Sequence, residues 1–150
     1  MKSLPLPITI LLVEDDPAHA EIVLRNLTTL QDRVRCIAHL SDGQQALDYL
    51  QREGVHKNPA SSPRPDLVLL DLRLPRVDGF EVLRRMKASD EVSRIPVVVL
   101  TTSEAEGDIA SAYENGASSY LVKPAEFEAY VELLRGFGHY WSDLNRFHRA

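Results

Sequence analysis

The chain has 150 residues, with 17 basic and 22 acidic side chains and a formal charge of −5. That length builds one domain with a sizeable core, and a composition of 44% hydrophobic and 26% charged residues excludes a disordered or collagen-like chain. The acidic balance argues against duplex nucleic acid as a partner, because phosphate binding needs a concentrated basic surface.

Nothing at the N-terminus reads as a signal peptide, since Pro5, Pro7 and the acidic Glu14-Asp15-Asp16 interrupt it. No run approaches the ~20 apolar residues of a membrane span, so the expected location is the cytoplasm. Cys36 is the single cysteine; with no partner for a disulfide it suggests a reducing compartment and a small buried apolar role.

The first apolar run, Ile8–Val13, is β-branched and too short for a buried helix, so it predicts a strand. Residues 17–30 follow with proline at an early helical position and Ala20, Val23, Leu24 and Leu27 at helical spacing. A second strand is expected at 34–38, then a helix over 41–51 that opens with the capping pair Ser41 and Asp42 and carries Ala46, Leu47 and Leu50 on one face. The proline-rich stretch 54–65 predicts a long exposed loop. Leu67–Leu70 is the third strand, and residues 80–87 the third helix, carrying Phe80, Leu83 and Met86. Residues 97–100 form the fourth strand, and 103–115 a helix ending at Gly116, a natural residue just past a helix C-terminus. Residues 120–122 are the fifth strand, followed by a helix from about Ala125 with Phe127, Tyr130, Val131 and Leu134 as its stripe. Strands alternating with helices define an α/β chain with a mostly parallel sheet covered on both faces.

In such a sheet, ligands bind beyond the carboxyl ends of the strands. Glu14-Asp15-Asp16, Asp71, Thr101-Thr102 and Lys123-Pro124 stand at four of those ends. Three carboxylates within ~5 Å of one another repel by roughly 3 kcal/mol per pair at an effective dielectric near 20, so the cluster needs a cation. Oxygen ligands of this kind suit Mg²⁺, which leaves a position for a phosphate oxygen. Phosphoryl transfer to a carboxylate needs this combination: a metal beside the acceptor, a lysine to counter charge on the transferred group, and a hydroxyl to hydrogen-bond it.

Four motifs in order, Ile10-Leu11-Leu12-Val13-Glu14-Asp15-Asp16, Leu69-Leu70-Asp71-Leu72-Arg73-Leu74-Pro75-Arg76-Val77-Asp78-Gly79, Val97-Val98-Val99-Leu100-Thr101-Thr102 and Tyr120-Leu121-Val122-Lys123-Pro124, make the chain resemble the receiver domain of two-component response regulators. The resemblance implies a doubly wound (βα)5 fold of flavodoxin-like strand order 2-1-3-4-5. It implies one domain over 1–150, with a core of about 8–136 and an aromatic extension over 137–150. Asp71 is then the phosphoacceptor for a histidine kinase. Asp15 is a direct Mg²⁺ ligand, Glu14 its acidic companion through water, and the backbone carbonyl of Arg73 a further ligand. Thr101 matches the switch hydroxyl, Tyr120 the aromatic that follows it, and Lys123 the phosphate-binding lysine; the Lys123–Pro124 bond is expected to be cis. Glu14 stands where aspartate is commoner, and Arg73 and Ser103 fall where receivers tune dephosphorylation. The 54–65 loop, Thr101-Thr102-Ser103 and the aromatic tail resemble the small regulators that serve bacterial phytochrome kinases.

Blander readings attach to some of these residues. Asp16 is the better helix cap of the acidic run, and Asp78-Gly79 reads as turn and helix-start chemistry. The histidines His19, His39, His56, His139 and His148 show no metal-ligand spacing and read as surface or packing residues. Phe137, Tyr140 and Trp141 extend a helical stripe, with Gly136 and Gly138 expected to weaken that helix; either it folds back on the sheet or it offers a dimer or partner surface. A homodimer through the fourth helix, fifth strand and fifth helix fits the family pattern. Two other classes compete: a Mg²⁺-dependent phosphatase with an aspartyl nucleophile, disfavoured because Arg73 stands where its general acid belongs, and an unphosphorylated pseudo-receiver, disfavoured by Glu14, Asp15, Asp71, Thr101 and Lys123 together.

Overall fold

Five short apolar segments pair into one parallel sheet in the computed structural model, which describes residues 6–30 and 32–148. The strands are β1 (Ile8–Val13), β2 (Val34–Leu40), β3 (Leu67–Leu70), β4 (Val97–Thr101) and β5 (Ser119–Val122). Their order is β2-β1-β3-β4-β5, the expected flavodoxin-like arrangement. The helices are α1 (Pro17–Thr28), α2 (Gly43–Gln51), α3 (Gly79–Ala88), α4 (Glu106–Glu114) and α5 (Phe127–His139).

Alternate residues of each strand point to opposite faces, and each face is buried by its own helices. Leu11, Val13, Val68, Leu70 and Val97 pack with Leu47 and Leu50 of α2 and Val82, Leu83 and Met86 of α3. Ile10, Leu12, Leu67, Leu69, Val98 and Leu100 pack with Val23 and Leu27 of α1 and Tyr130, Leu134 and Phe137 of α5. Covering both faces is why the central strands read as continuous apolar runs.

Three helices start at aspartate caps lying just beyond the sheet or the loop that leaves it. The Asp16 carboxylate accepts from the backbone N–H of Ala18 and His19, Asp42 from Gln45, and Asp78 from Glu81. The cap readings of Asp16 and Asp78 match, and of the pair Ser41 and Asp42 it is Asp42 that caps α2. Helix α4 begins three residues later than expected. The Ser103 hydroxyl instead donates to Asp108 in the first turn of α4, at 2.6 Å, so residues 103–105 lead into the helix without joining it.

Two further expectations need correction. The Lys123–Pro124 bond is trans, as are all peptide bonds among the described residues; proline narrows the preference for trans to about 0.5–1 kcal/mol without reversing it. The 54–65 segment is not a wholly exposed loop. It contains a 3-10 turn at Gly54–His56, buries Ser62 completely, and is tied to α2 where Tyr49 Oη donates to the Pro63 carbonyl at 2.7 Å. Helix α5, which Gly136 and Gly138 were expected to weaken, runs to His139 and continues as a π-helical turn over Tyr140–Leu144.

Along that continuation the aromatic residues of the tail are placed differently. Gly138 lies against Leu30 so closely that a Cβ would collide with it, and Phe137 is buried at 5% exposure in the core. Phe137 is therefore not part of a free surface, while Tyr140 is 49% exposed. The Trp141 ring stacks on Phe147 at 5.8 Å and meets Tyr140 edge-on at 5.2 Å. No helix among the described residues is long and apolar enough to cross a membrane.

Candidate phosphoacceptor site

The parallel ladder continues one residue past three strands and fixes the backbone of the site. Glu14 N–H donates to the Leu40 carbonyl at 2.9 Å, Asp71 N–H to Val13 at 3.0 Å, and Lys123 N–H to Thr101 at 2.7 Å. These bonds bring the sequence-predicted rim residues to one place. Glu14, Asp15 and Asp71 each offer a carboxylate oxygen within 4.8 Å of the others. Gly79, the first residue of α3, packs on the backbone of Asp71 and Leu72, where a Cβ would collide with the Asp71 carbonyl oxygen.

Lys123 reaches into the acidic cluster from the end of β5. Its Nζ lies 2.7 Å from Glu14 Oε1 and 2.9 Å from Asp71 Oδ2, with the three side chains 2%, 3% and 9% exposed. Such a buried arrangement holds together only because the charges are paired and hydrogen-bonded. Burial, with the Asp71 carboxylate beside it, pushes Glu14 up to about 8 against the opposing pull of Lys123. Burial acts on Asp71 in the same sense, but its hydrogen bonds with Glu14 and Lys123 outweigh it and hold Asp71 below the usual carboxylate range.

Two buried carboxylates share one buried ammonium, which leaves one negative charge in excess unless Glu14 keeps a proton. A divalent cation would satisfy the same excess. The donor set, carboxylates with a solvent-facing Asp15 among them, fits a hard oxygen-seeking ion. A second observation points to an anionic ligand: Thr101 is fully buried at the end of β4, and its Oγ1 has no hydrogen-bond partner among the described residues.

Around this centre, Tyr120 Oη donates to the Ser103 carbonyl at 3.0 Å, linking β5 to the lead-in of α4. The exposed Arg73 side chain pairs with Asp108 of α4 at 2.7 Å, and Arg73 N–H donates to Asp71 Oδ1 at 3.3 Å. One residue of the site was missed by sequence reading. His19, in the first turn of α1, places Nδ1 2.9 Å from Lys123 Nζ and 3.2 Å from Glu14 Oε1. His39 packs behind the site, its Nε2 2.9 Å from the Glu14 backbone carbonyl.

A doubly wound parallel sheet with acids, a hydroxyl and a lysine converging beyond its strand ends defines an α/β protein with one ligand-binding rim, lined by oxygen donors and a single ammonium. The chain belongs to the response regulator receiver domain family, whose model matches residues 10–135. It is 46% identical over 140 residues to the probable methanogenesis regulatory protein FilR2 of Methanothrix harundinacea, covering 93% of this chain and 87% of that one. It is 42% identical over 135 residues to the response regulator Rcp1 of a Synechocystis strain, covering 90% and 89%. The Mn(2+)-bound structure of Rcp1 superimposes with a TM-score of 0.88 at 39% identity, over 95% of this chain and 100% of that one. The phosphorylated cyanobacterial phytochrome response regulator RcpA gives 0.86 at 35% identity, over 95% and 99%.

Proposed function

We propose that this receiver is a switch thrown by phosphorylation of Asp71 from a phosphohistidine of a sensor kinase. The observation that carries the reading is the buried Lys123–Asp71 contact at 2.9 Å within the Glu14, Asp15 and Asp71 cluster.

Mg²⁺ held by Asp15, Asp71 and the Arg73 carbonyl, with Glu14 acting through water, would neutralise the acids and the equatorial phosphoryl oxygens. The low pKa of Asp71 keeps its carboxylate ionised as the nucleophile. Its oxygen attacks phosphorus as the bond to the kinase imidazole nitrogen breaks, and the imidazole leaves with that electron pair. Lys123 follows the charge from the carboxylate to the new phosphoryl oxygens. The Thr101 hydroxyl, unbonded before transfer, gains an acceptor, and movement there is felt at Tyr120, whose hydroxyl holds the Ser103 carbonyl in the lead-in to α4. The same residues would catalyse the chain's own phosphorylation from small donors and its hydrolysis.

The output is through protein contacts made by the face of α4, β5 and α5, where Tyr113 and Tyr140 are exposed, and a homodimer through that face is one form of it. The single domain acts in the cytoplasm, without binding DNA or membrane. Similarity to the phytochrome response regulator RcpA supports the narrower reading that the kinase is a bacteriophytochrome. Transfer of labelled phosphate from such a kinase, followed by mapping of the acyl phosphate to Asp71, tests both parts. Label on another residue would contradict the site, and no transfer from the phytochrome kinase alone would contradict the partner.

A further inference from the structure

His19 lies outside the motifs that define the site, yet its ring reaches the buried lysine. A lysine ammonium has three N–H donors. Those of Lys123 have three acceptors within reach: Glu14 Oε1 at 2.7 Å, Asp71 Oδ2 at 2.9 Å and His19 Nδ1 at 2.9 Å. We propose that His19 is a positioning residue for Lys123, taking the third ammonium proton on Nδ1 and so fixing where the ammonium points during phosphoryl transfer. The proposal rests on the reading of Asp71 as phosphoacceptor.

The contacts assign the tautomer. A proton on Nδ1 would face an ammonium 2.9 Å away, so Nδ1 carries the lone pair and the proton sits on Nε2. That nitrogen faces Asp16 Oδ2 at 3.8 Å, on the side chain whose other oxygen caps α1. Glu14 Oε1, 3.2 Å from Nδ1, is then a neighbour of the ring, both being acceptors of the same ammonium. The ring is one-third exposed, and Tyr130 lies 6.3 Å from its centroid on the inner side.

A neutral acceptor suits this position. A third carboxylate would add negative charge beside Asp71 and Glu14, whereas an apolar side chain would leave an ammonium proton without a partner beside a lysine that is 2% exposed. When the charge on Asp71 moves out to a phosphoryl group, one of the three Lys123 contacts has to move with it. An ammonium held by Glu14 alone would be drawn back towards that carboxylate. His19, 104 residues from Lys123 in sequence but adjacent in space, supplies a second fixed direction.

The test compares His19→Leu, which removes the acceptor, with His19→Asn, whose Oδ1 is the same number of bonds from the backbone as Nδ1. The readout is the rate of phosphoryl incorporation at Asp71 from acetyl phosphate with Mg²⁺. The expected result is a rate about tenfold lower in His19→Leu and recovery to within about threefold of wild type in His19→Asn, with both variants melting within a few degrees of wild type. A second readout is the ¹⁵N signal of the His19 ring, identified by its loss in His19→Asn, which should report unprotonated Nδ1 and protonated Nε2. Equal rates in His19→Leu and wild type, failure of asparagine to rescue, or a proton on Nδ1 would overturn the proposal. Absence of phosphorylation in the wild type would overturn the Asp71 reading instead, and the ring signal would still decide the His19–Lys123 contact.

Discussion

Lys123 and Asp71, 52 residues apart in sequence, meet as a buried ion pair at 2.9 Å where β5 and β3 end. Glu14 shares the same ammonium at 2.7 Å, so a single lysine holds two carboxylates that would otherwise repel across the centre of the sheet's rim.

Removing that ammonium should therefore destabilise the protein in the absence of metal. Below the Glu14 pKa of about 8, Lys123→Met leaves the buried Asp71 carboxylate without a cation, and breaking a buried pair from one side costs about 3–5 kcal/mol. Urea denaturation should show this loss, with part of it recovered by Mg²⁺. An unchanged midpoint without metal would mean that the lysine is not the counter-charge it is taken to be.

Thr101 gives the opposite pattern. Its buried Oγ1 has no partner before phosphorylation, so Thr101→Val loses no hydrogen bond. The variant should match wild type or gain up to about 1 kcal/mol. Phosphorylated Thr101→Val should lack the change at Tyr120 that the wild type shows, followed by amide chemical shifts in α4 and β5. A large loss of stability in the unphosphorylated variant would reveal a bond that Thr101 already makes.

Gly79 is required by proximity rather than by backbone conformation. A methyl group there would strike the Asp71 carbonyl oxygen, so Gly79→Ala must displace either the start of α3 or the acceptor loop. The expected outcome is a loss of about 1–3 kcal/mol, together with slower phosphorylation. Normal stability and normal rate together would show that the loop yields without consequence.

Metal should bind the folded state and not the unfolded chain, because the Glu14, Asp15 and Asp71 ligands converge only on folding. At a Mg²⁺ concentration ten times its Kd the gain is about 1.4 kcal/mol, visible as a rise in Tm that EDTA reverses. Asp15→Ala should lose most of that rise while changing metal-free stability little, since Asp15 is exposed.

Much of this architecture was legible in the chain. Strand runs such as Leu67–Leu70 are too short and too apolar to be anything but buried strands in an alternating pattern, and the rim residues Glu14, Asp71, Thr101 and Lys123 each follow such a run directly. The aspartate caps were equally readable, because Asp16-Pro17 and Asp78-Gly79 combine a cap with a helix-start signal. The His19 contact was not legible: it joins residues 104 apart, and a lone histidine in a first helical turn carries no spacing signal. What holds the tail was not legible for a related reason. Gly136 and Gly138 suggest a weak helix by propensity, but Gly138 is where α5 closes on Leu30, so tertiary packing overrides the local preference. The trans Lys123–Pro124 bond likewise lay beyond sequence, which makes both isomers accessible without choosing one.

The central claim is that Asp71 is the phosphoryl acceptor of a metal-assisted switch. Intact-mass measurement after incubation with acetyl phosphate and Mg²⁺ tests it most directly. Wild type should gain the mass of one phosphoryl group and Asp71→Asn none. A gain that persists in Asp71→Asn, or fails to appear in wild type, would contradict the account.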